Sequence, residues 1–243
     1  MKNLLLLSLV TIFSLVSLAQ EVKIAPIVGL NGSYPGLSKA TQNDYSNALY
    51  QAAGIRGTTV FMPVIRAQTG ALLEYSPNDW LSFQTGLLVN LRGAKMVTKF
   101  SSVWGTSVTG KLSAKTNITY LEIPLLVGVG LGKSGVKVRI GPSIGVAVSA
   151  KSFVLITGGG ESDTNSEKLN IGNDPLVDTV KPFDVSANLN IAKQWSVGEQ
   201  ILELSINLQP SLSNWVPIPA NSSDYYGRHI TVGIRAAYFF AVK

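Results

Sequence analysis

The sequence predicts an all-β fold, an eight-stranded antiparallel up-and-down transmembrane β-barrel, from three observations. Apolar and polar residues alternate with the two-residue period of β-strands along most of the chain past residue 20. The connectors between alternating segments are short and long by turns. The apolar rows are nearly unbroken Leu, Ile and Val, while the opposite rows carry Gly, Ser, Asn and charged residues. Only helices and closed barrels satisfy their backbone in lipid, and outer-membrane barrels join their strands by short periplasmic turns and long external loops.

The first element is a leader. "MKNLLLLSLVTIFSLVSLAQ" has one early cation, Lys2, an apolar run from Leu4 to about Val16, and Ser17-Leu18-Ala19 at the position of a cleavage site. The run is short for a membrane span, and no basic cluster follows it. The expectation is a removed signal peptide over residues 1–19 and one outer-membrane barrel domain over 20–243. No helix is predicted in the mature chain.

Eight strands follow, near 22–34, 63–75, 80–100, 116–132, 136–152, 182–195, 201–213 and 228–242. In the fifth, Val136, Val138, Ile140, Ile144, Val146 and Val148 oppose Lys137, Arg139, Ser143, Ala147, Ser149 and Lys151. In the sixth, Phe183, Val185, Leu189 and Ile191 oppose Asp184, Ser186, Asn188 and Asn190. In the seventh, Leu202, Leu204, Ile206 and Leu208 oppose Glu203, Ser205, Asn207 and Gln209. The second, fourth and sixth connectors are tight; the others are long, as in Pro35–Met62 and Val154–Lys181. An even strand number puts both termini on the periplasmic side. Alternation alone does not say which face is inside, so a soluble lipocalin-like barrel with an apolar interior stays open. Long strands and unbroken apolar rows favour lipid outside.

With lipid outside, nine ionisable residues point inward: Arg66, Glu74, Arg92, Glu122, Lys137, Arg139, Asp184, Glu203 and Arg235. An eight-stranded barrel has room inside for little more than side chains. Buried charges are costly unless paired, so a cross-barrel network of cations and carboxylates is expected to plug the lumen. Glu122 and Arg139, in one hairpin, are the first pair expected. A narrow polar channel is the alternative use of the same residues.

Composition limits the remaining chemistry. The chain has 243 residues, no cysteine and one histidine, so thiolate sites, disulfides and histidine clusters are not available. The net charge is +6 without a basic run interleaved with aromatics, which gives nucleic acid no footprint. "VGVGLGKSG" (127–135) ends like a phosphate-binding loop, but its spacing fails by one and a strand, not a helix, follows. It reads as a hairpin turn, with Gly128, Gly130 and Gly132 on the face that leaves room for basic side chains. His229, with Asp224 nearby in sequence, is the one candidate for rim acid–base chemistry. Glu161, Asp163 and Glu167 lack the ordered spacing of a calcium loop. Trp80, Trp104, Trp195, Trp215, Tyr75, Tyr238, Phe239 and Phe240 sit near strand ends, where interfacial aromatics belong. No catalytic residue, metal site or cofactor is expected.

Four stretches carry a family resemblance: "LSFQTGLLVNLRGAK" (81–95), "ITYLEIPLLVGVGLG" (118–132), "VRIGPSIGVAVSAK" (138–151) and "HITVGIRAAYFF" (229–240). In order and spacing they resemble the PorT-type outer-membrane β-barrel family of Bacteroidota. The matching residues are Arg92-Gly93-Ala94-Lys95, Tyr120-Leu121-Glu122-Ile123-Pro124, and Gly141-Pro142 with Gly145. The resemblance implies an outer-membrane barrel. Its founding member is tied to type IX protein secretion, which makes a secretion accessory one implied role and surface binding another. The chain departs from the family by ending "FFAVK" rather than on an aromatic residue. The expected partners are outer-membrane lipid and proteins of the envelope or secretion machinery.

Overall fold

The computed structural model describes residues 21–158, 160–216 and 227–242. The leader and Asp224 lie outside them. Eleven strands and one helix follow in chain order: β1 (Glu21–Leu37), α1 (Lys39–Ala53), β2 (Ile55–Met62), β3 (Val64–Ser76), β4 (Leu81–Val103), β5 (Thr106–Pro124), β6 (Leu126–Gly130), β7 (Val136–Gly158), β8 (Glu161–Lys168), β9 (Phe183–Val197), β10 (Gln200–Pro210) and β11 (Gly227–Val242). All the pairings between these strands are antiparallel.

Eight staves close a ring. β1 pairs with β3 on one side and β11 on the other; β3, β4, the β5–β6 stave, β7, β9, β10 and β11 complete the circuit. Pro124 has no N–H to give the ladder, and there one stave divides into β5 and β6, with Leu125 N–H donating instead to Pro142 O at 2.9 Å. The short turns fall where expected. At one of them Gly132–Ser134 form a single 3-10 turn, and Ser134 Oγ donates to Leu131 O at 2.6 Å. The letters of a nucleotide loop are a hairpin turn here. Gly132 is therefore in the turn, with φ +59, and off the strand face expected for it.

The two faces settle inside against outside. Ile65, Ile140 and Val28 are 73%, 64% and 63% exposed, whereas Arg92, Glu122 and Arg139 are fully buried. A soluble barrel would have these reversed. Burying a side chain of Ile or Leu size is worth roughly 1.5–3 kcal/mol, so an outward apolar surface of this extent requires lipid against it.

Away from the short turns the sequence reading was incomplete. The first long connector contains α1 and β2. Gly54 ends the helix with φ +62, and its N–H bonds Tyr50 O at 2.8 Å. The third connector is no loop, because β4 and β5 run on as a paired hairpin to a turn at Trp104 and Gly105. The fifth begins with β8, paired to the far end of β7. β4 and β7 each have 23 residues against 11 in β10. At ~3.4 Å per residue such a strand is roughly 75 Å long, so even tilted it outruns a hydrocarbon core of ~30 Å. Strands β2, β4, β5, β7 and β8 thus rise on one side as a wall beyond the barrel's long-loop end.

A bulge in that wall changes one face. Thr119 opposes Ser149 and Tyr120 opposes Ala147, so Val148 is an extra residue in β7. Beyond it Ala150 is buried and Lys151 turns outward, opposite Asn117. The expected polar row therefore ends at Ala147 and does not reach Lys151. The reason is the odd insertion, which inverts strand alternation.

Candidate functional site

The lumen is crossed by charged clusters at two levels. Nearer the short turns, Arg139 Nη2 lies 2.6 Å from Glu74 Oε2 and 2.6 Å from Glu203 Oε2. Its Nη1 donates to Glu203 Oε1 and to Asn190 Oδ1, each at 3.0 Å. Lys137 Nζ reaches the other oxygen of Glu74 at 2.7 Å. Gln194 donates to Glu203 at 2.7 Å. One guanidinium fork thus joins β3, β7, β9 and β10. Gly128 of β6, directly opposite Arg139 in the ladder, makes room for it: a Cβ there would stand 2.7 Å from Arg139 Cγ and 2.6 Å from Ser82 Oγ.

The second level is nearer the long-loop end. Arg92 bridges Glu122 Oε2 at 2.6 Å and Asp184 Oδ2 at 2.5 Å, and lies 5.3 Å from the centre of the Tyr120 ring. Glu122 also accepts from Asn90 at 2.8 Å and Gln209 at 2.6 Å. Asp184 accepts from Ser213 at 2.9 Å. Between the two levels Arg235 is buried on β11, with no ion pair among the described residues.

Eight of the nine predicted interior residues share this lumen. Two corrections concern geometry. Glu122 pairs with Arg92, not with Arg139. In the ladder Glu122 opposes Gly145 while Arg139 opposes Gly128. Positions 122 and 128 of one stave stand about 20 Å apart at ~3.4 Å per residue. Arg66 leaves the network: its Nη2 donates to Asn117, beyond β4. Asn117 stands opposite Gly93 of β4 in the ladder. The neutral partners Asn90, Asn190, Gln194, Gln209 and Ser213 were not singled out from the sequence. They stand on the same polar rows as the charges, which is the signal that finds them.

Above the second level is a vestibule of about 170 Å³, lined by Leu37, Phe61, Met96, Leu169 and Trp215 among others. His229 stands beside it, buried. Its Nδ1 lies 3.3 Å from Ser33 Oγ, and its ring stacks on Trp215 with centroids 5.2 Å apart. Trp215 and Phe239 are buried inward, which removes both from the expected interfacial girdle. Trp80, Phe83, Trp195 and Phe240 are exposed around the short-turn end. Glu161, Asp163 and Glu167 are exposed on β8. Among the described residues no group of three or more His, Asp or Glu is placed to hold a metal ion.

Residues 19–216 match a family model described as an outer membrane protein beta-barrel domain. The chain belongs to this family. Membership and the closed ring together identify an outer-membrane β-barrel protein. A search of curated proteins gives no match. Among solved structures, the attachment invasion locus protein Ail of Yersinia pestis, bound to the heparin analogue sucrose octasulfate, is 9% identical, with 91% of this chain and 100% of that chain covered and a TM-score of 0.35. The outer membrane protease OmpT of Escherichia coli is 9% identical over 92% of this chain and 97% of its own, at 0.33. The outer membrane protein OprG of Pseudomonas aeruginosa is 8% identical over 93% and 98%, at 0.30.

Proposed function

We propose that this family member is a closed, non-enzymatic barrel that holds both termini in the periplasm and presents its long-loop end outside the cell for contact with other envelope or surface molecules. The observation that carries the reading is the lumen. Arg139 and Arg92 each clamp two carboxylates from different staves, at successive levels. An eight-stranded interior so filled leaves no continuous aqueous path. The polar network is structural on this reading: it joins staves and pairs most of the charges it buries. Refolded protein in a planar bilayer is expected to give no conductance steps; steps from the wild-type chain would overturn the closed reading.

The orientation has its own test. The chain has no cysteine, so Ser107→Cys, near the β4–β5 turn, is a unique label site. A membrane-impermeant maleimide is expected to label it on intact cells. The resemblance to PorT-type barrels supports a role as an accessory to protein secretion, with envelope proteins as partners. Cross-linking in native outer membrane followed by pull-down checks it, and the absence of any secretion component would remove that role. The apolar vestibule beneath the wall favours a second reading, a barrel that binds a small apolar ligand beside Trp215. That reading requires ligand-dependent quenching of Trp215 fluorescence, lost in Trp215→Phe.

A further inference from the structure

The outward face of the wall carries cations set directly against cations. Lys95 of β4 opposes Lys115 of β5, and two rows further out Lys99 opposes Lys111. Lys151 of β7 opposes Lys168 of β8. Directly opposed residues of an antiparallel pair lie on the same face, and like charges there are destabilising. Arg66 adds to the cluster through its bond to Asn117, the residue opposite Lys151. The pKa of the Lys115 ammonium, above the apolar band, is lowered by Arg66, by partial burial and by Lys95.

Among the described residues no acid answers them on this face. β4 and β7 contain no acidic residue, and β5 has only Glu122, which faces the lumen. The acids of β8, Glu161, Asp163 and Glu167, alternate with Lys168 and therefore stand on the opposite face. None of these six lysines has an ion pair among the described residues. A segregation this complete, kept through three repulsive pairs, points to an anion from outside the chain.

The neighbouring side chains say which kind. Met62 and Phe153 flank the Lys95–Lys115 pair in the ladder and are exposed, and Val60 and Leu155 are exposed in the next row. Below lies the barrel's apolar band, through Val89, Leu121 and Val146. A soluble polyanion matches the lysines but leaves this apolar surface in water. A phosphorylated lipid supplies both chemistries, phosphate for the ammonium groups and acyl chain for the side chains between and beneath. Each Lys stem can lie along apolar surface with its head at the phosphate level.

We propose that this outward lysine face is a binding site for the phosphate-bearing headgroup of an outer-leaflet lipid. Lys95, Lys115, Lys151, Lys168 and Arg66 grip the phosphate, and Met62 and Phe153 rest on the lipid beneath. This places the wall in the headgroup layer rather than free above it, and rests on the reading that the long-loop end faces outward.

The test is native mass spectrometry of the refolded full mature chain in detergent, with bisphosphorylated lipid A, its dephosphorylated counterpart, and inorganic pyrophosphate as separate probes. Wild type is expected to keep a lipid A adduct through detergent exchange and to keep none of the dephosphorylated lipid. In the quadruple variant Lys95→Gln, Lys115→Gln, Lys151→Gln, Lys168→Gln, affinity is expected to fall about fivefold per lysine removed. The variant loses repulsion only, so it should fold, which its heat-dependent gel shift checks first. An adduct retained by the folded variant, or equal binding of the dephosphorylated lipid, overturns the proposal. Pyrophosphate binding as tight as lipid A also overturns it, in favour of a soluble anion. The readout does not depend on which side of the membrane the wall faces, so maleimide labelling and lipid binding can fail separately.

Discussion

The lumen and the outer wall use the same residue types under opposite rules. In the lumen Arg92 and Arg139 each stand between two carboxylates, and neutral amides add further hydrogen bonds. On the wall lysine faces lysine. The difference follows from dielectric. Charges in a closed eight-stranded interior are costly to leave unpaired, because desolvation is repaid only by close partners, and Arg235 alone of the lumen arginines is without an ion pair among the described residues. At a solvated surface repulsion between lysines is worth only tenths of a kcal/mol. The wall can therefore keep its cations for another use, and the lumen cannot.

The contrast predicts its own largest effect. Arg139→Leu removes the guanidinium that the buried Glu74 and Glu203 share, leaving Glu74 with Lys137 and Glu203 with Gln194. The expected loss is about 3–5 kcal/mol, the scale for breaking a buried ion pair from one side. It should appear as loss of heat-resistant folding in detergent. Double-mutant cycles sharpen the comparison: Glu122 should couple strongly to Arg92 and by no more than a few tenths of a kcal/mol to Arg139, since well-separated sites add.

A smaller loss is expected where space rather than charge is changed. Gly128→Ala puts a methyl within 2.7 Å of Arg139 Cγ. Shifting the guanidinium off its two carboxylates should cost about 1–3 kcal/mol, the scale of overpacking. Lys137→Met should cost less than Arg139→Leu, because Lys137 is half-buried at the lumen end and Glu74 keeps Arg139. Urea unfolding in detergent ranks the three.

The barrel was legible in the sequence and the wall was not, for one physical reason. Alternation with period two fixes a stave when one face meets lipid and the other a polar lumen, and β9, β10 and β11 show it without interruption. The wall has no such contrast, since its outward rows mix Lys with Val, Phe and Thr. Its register depends on the bulge at Val148, which is seen only once partners are known. α1 was missed because "KATQNDYSNALYQAA" is polar and lacks an apolar stripe. Its flanks were readable, with Ser38 before it and Gly54 after it. In the lumen the ionisable set other than Arg66 was legible from parity, but partners were not: parity gives the face, and height along the barrel comes from the register. That is why Glu122 and Arg139, neighbours by hairpin, lie at different levels.

The smallest effect distinguishes the two regions most directly. Lys95→Gln with Lys115→Gln removes one repulsive pair, and in zwitterionic detergent should raise stability by about 0.2–1 kcal/mol, the scale of a cross-strand pair. Salt should do the same to the wild type and little to the variant, because exposed charges are screened within a Debye length of ~10 Å at 0.1 M. The Arg139 cluster is shielded from that screening by its burial. Stability of Arg139→Leu relative to wild type should therefore be nearly independent of salt. In anionic lipid the sign at the wall reverses: with phosphate supplied, the lysines become stabilising and the double glutamine variant should unfold at the lower temperature. If the variant stays the more stable in both lipids, the wall's cations are only tolerated, and their segregation from the acids of β8 has no lipid to explain it.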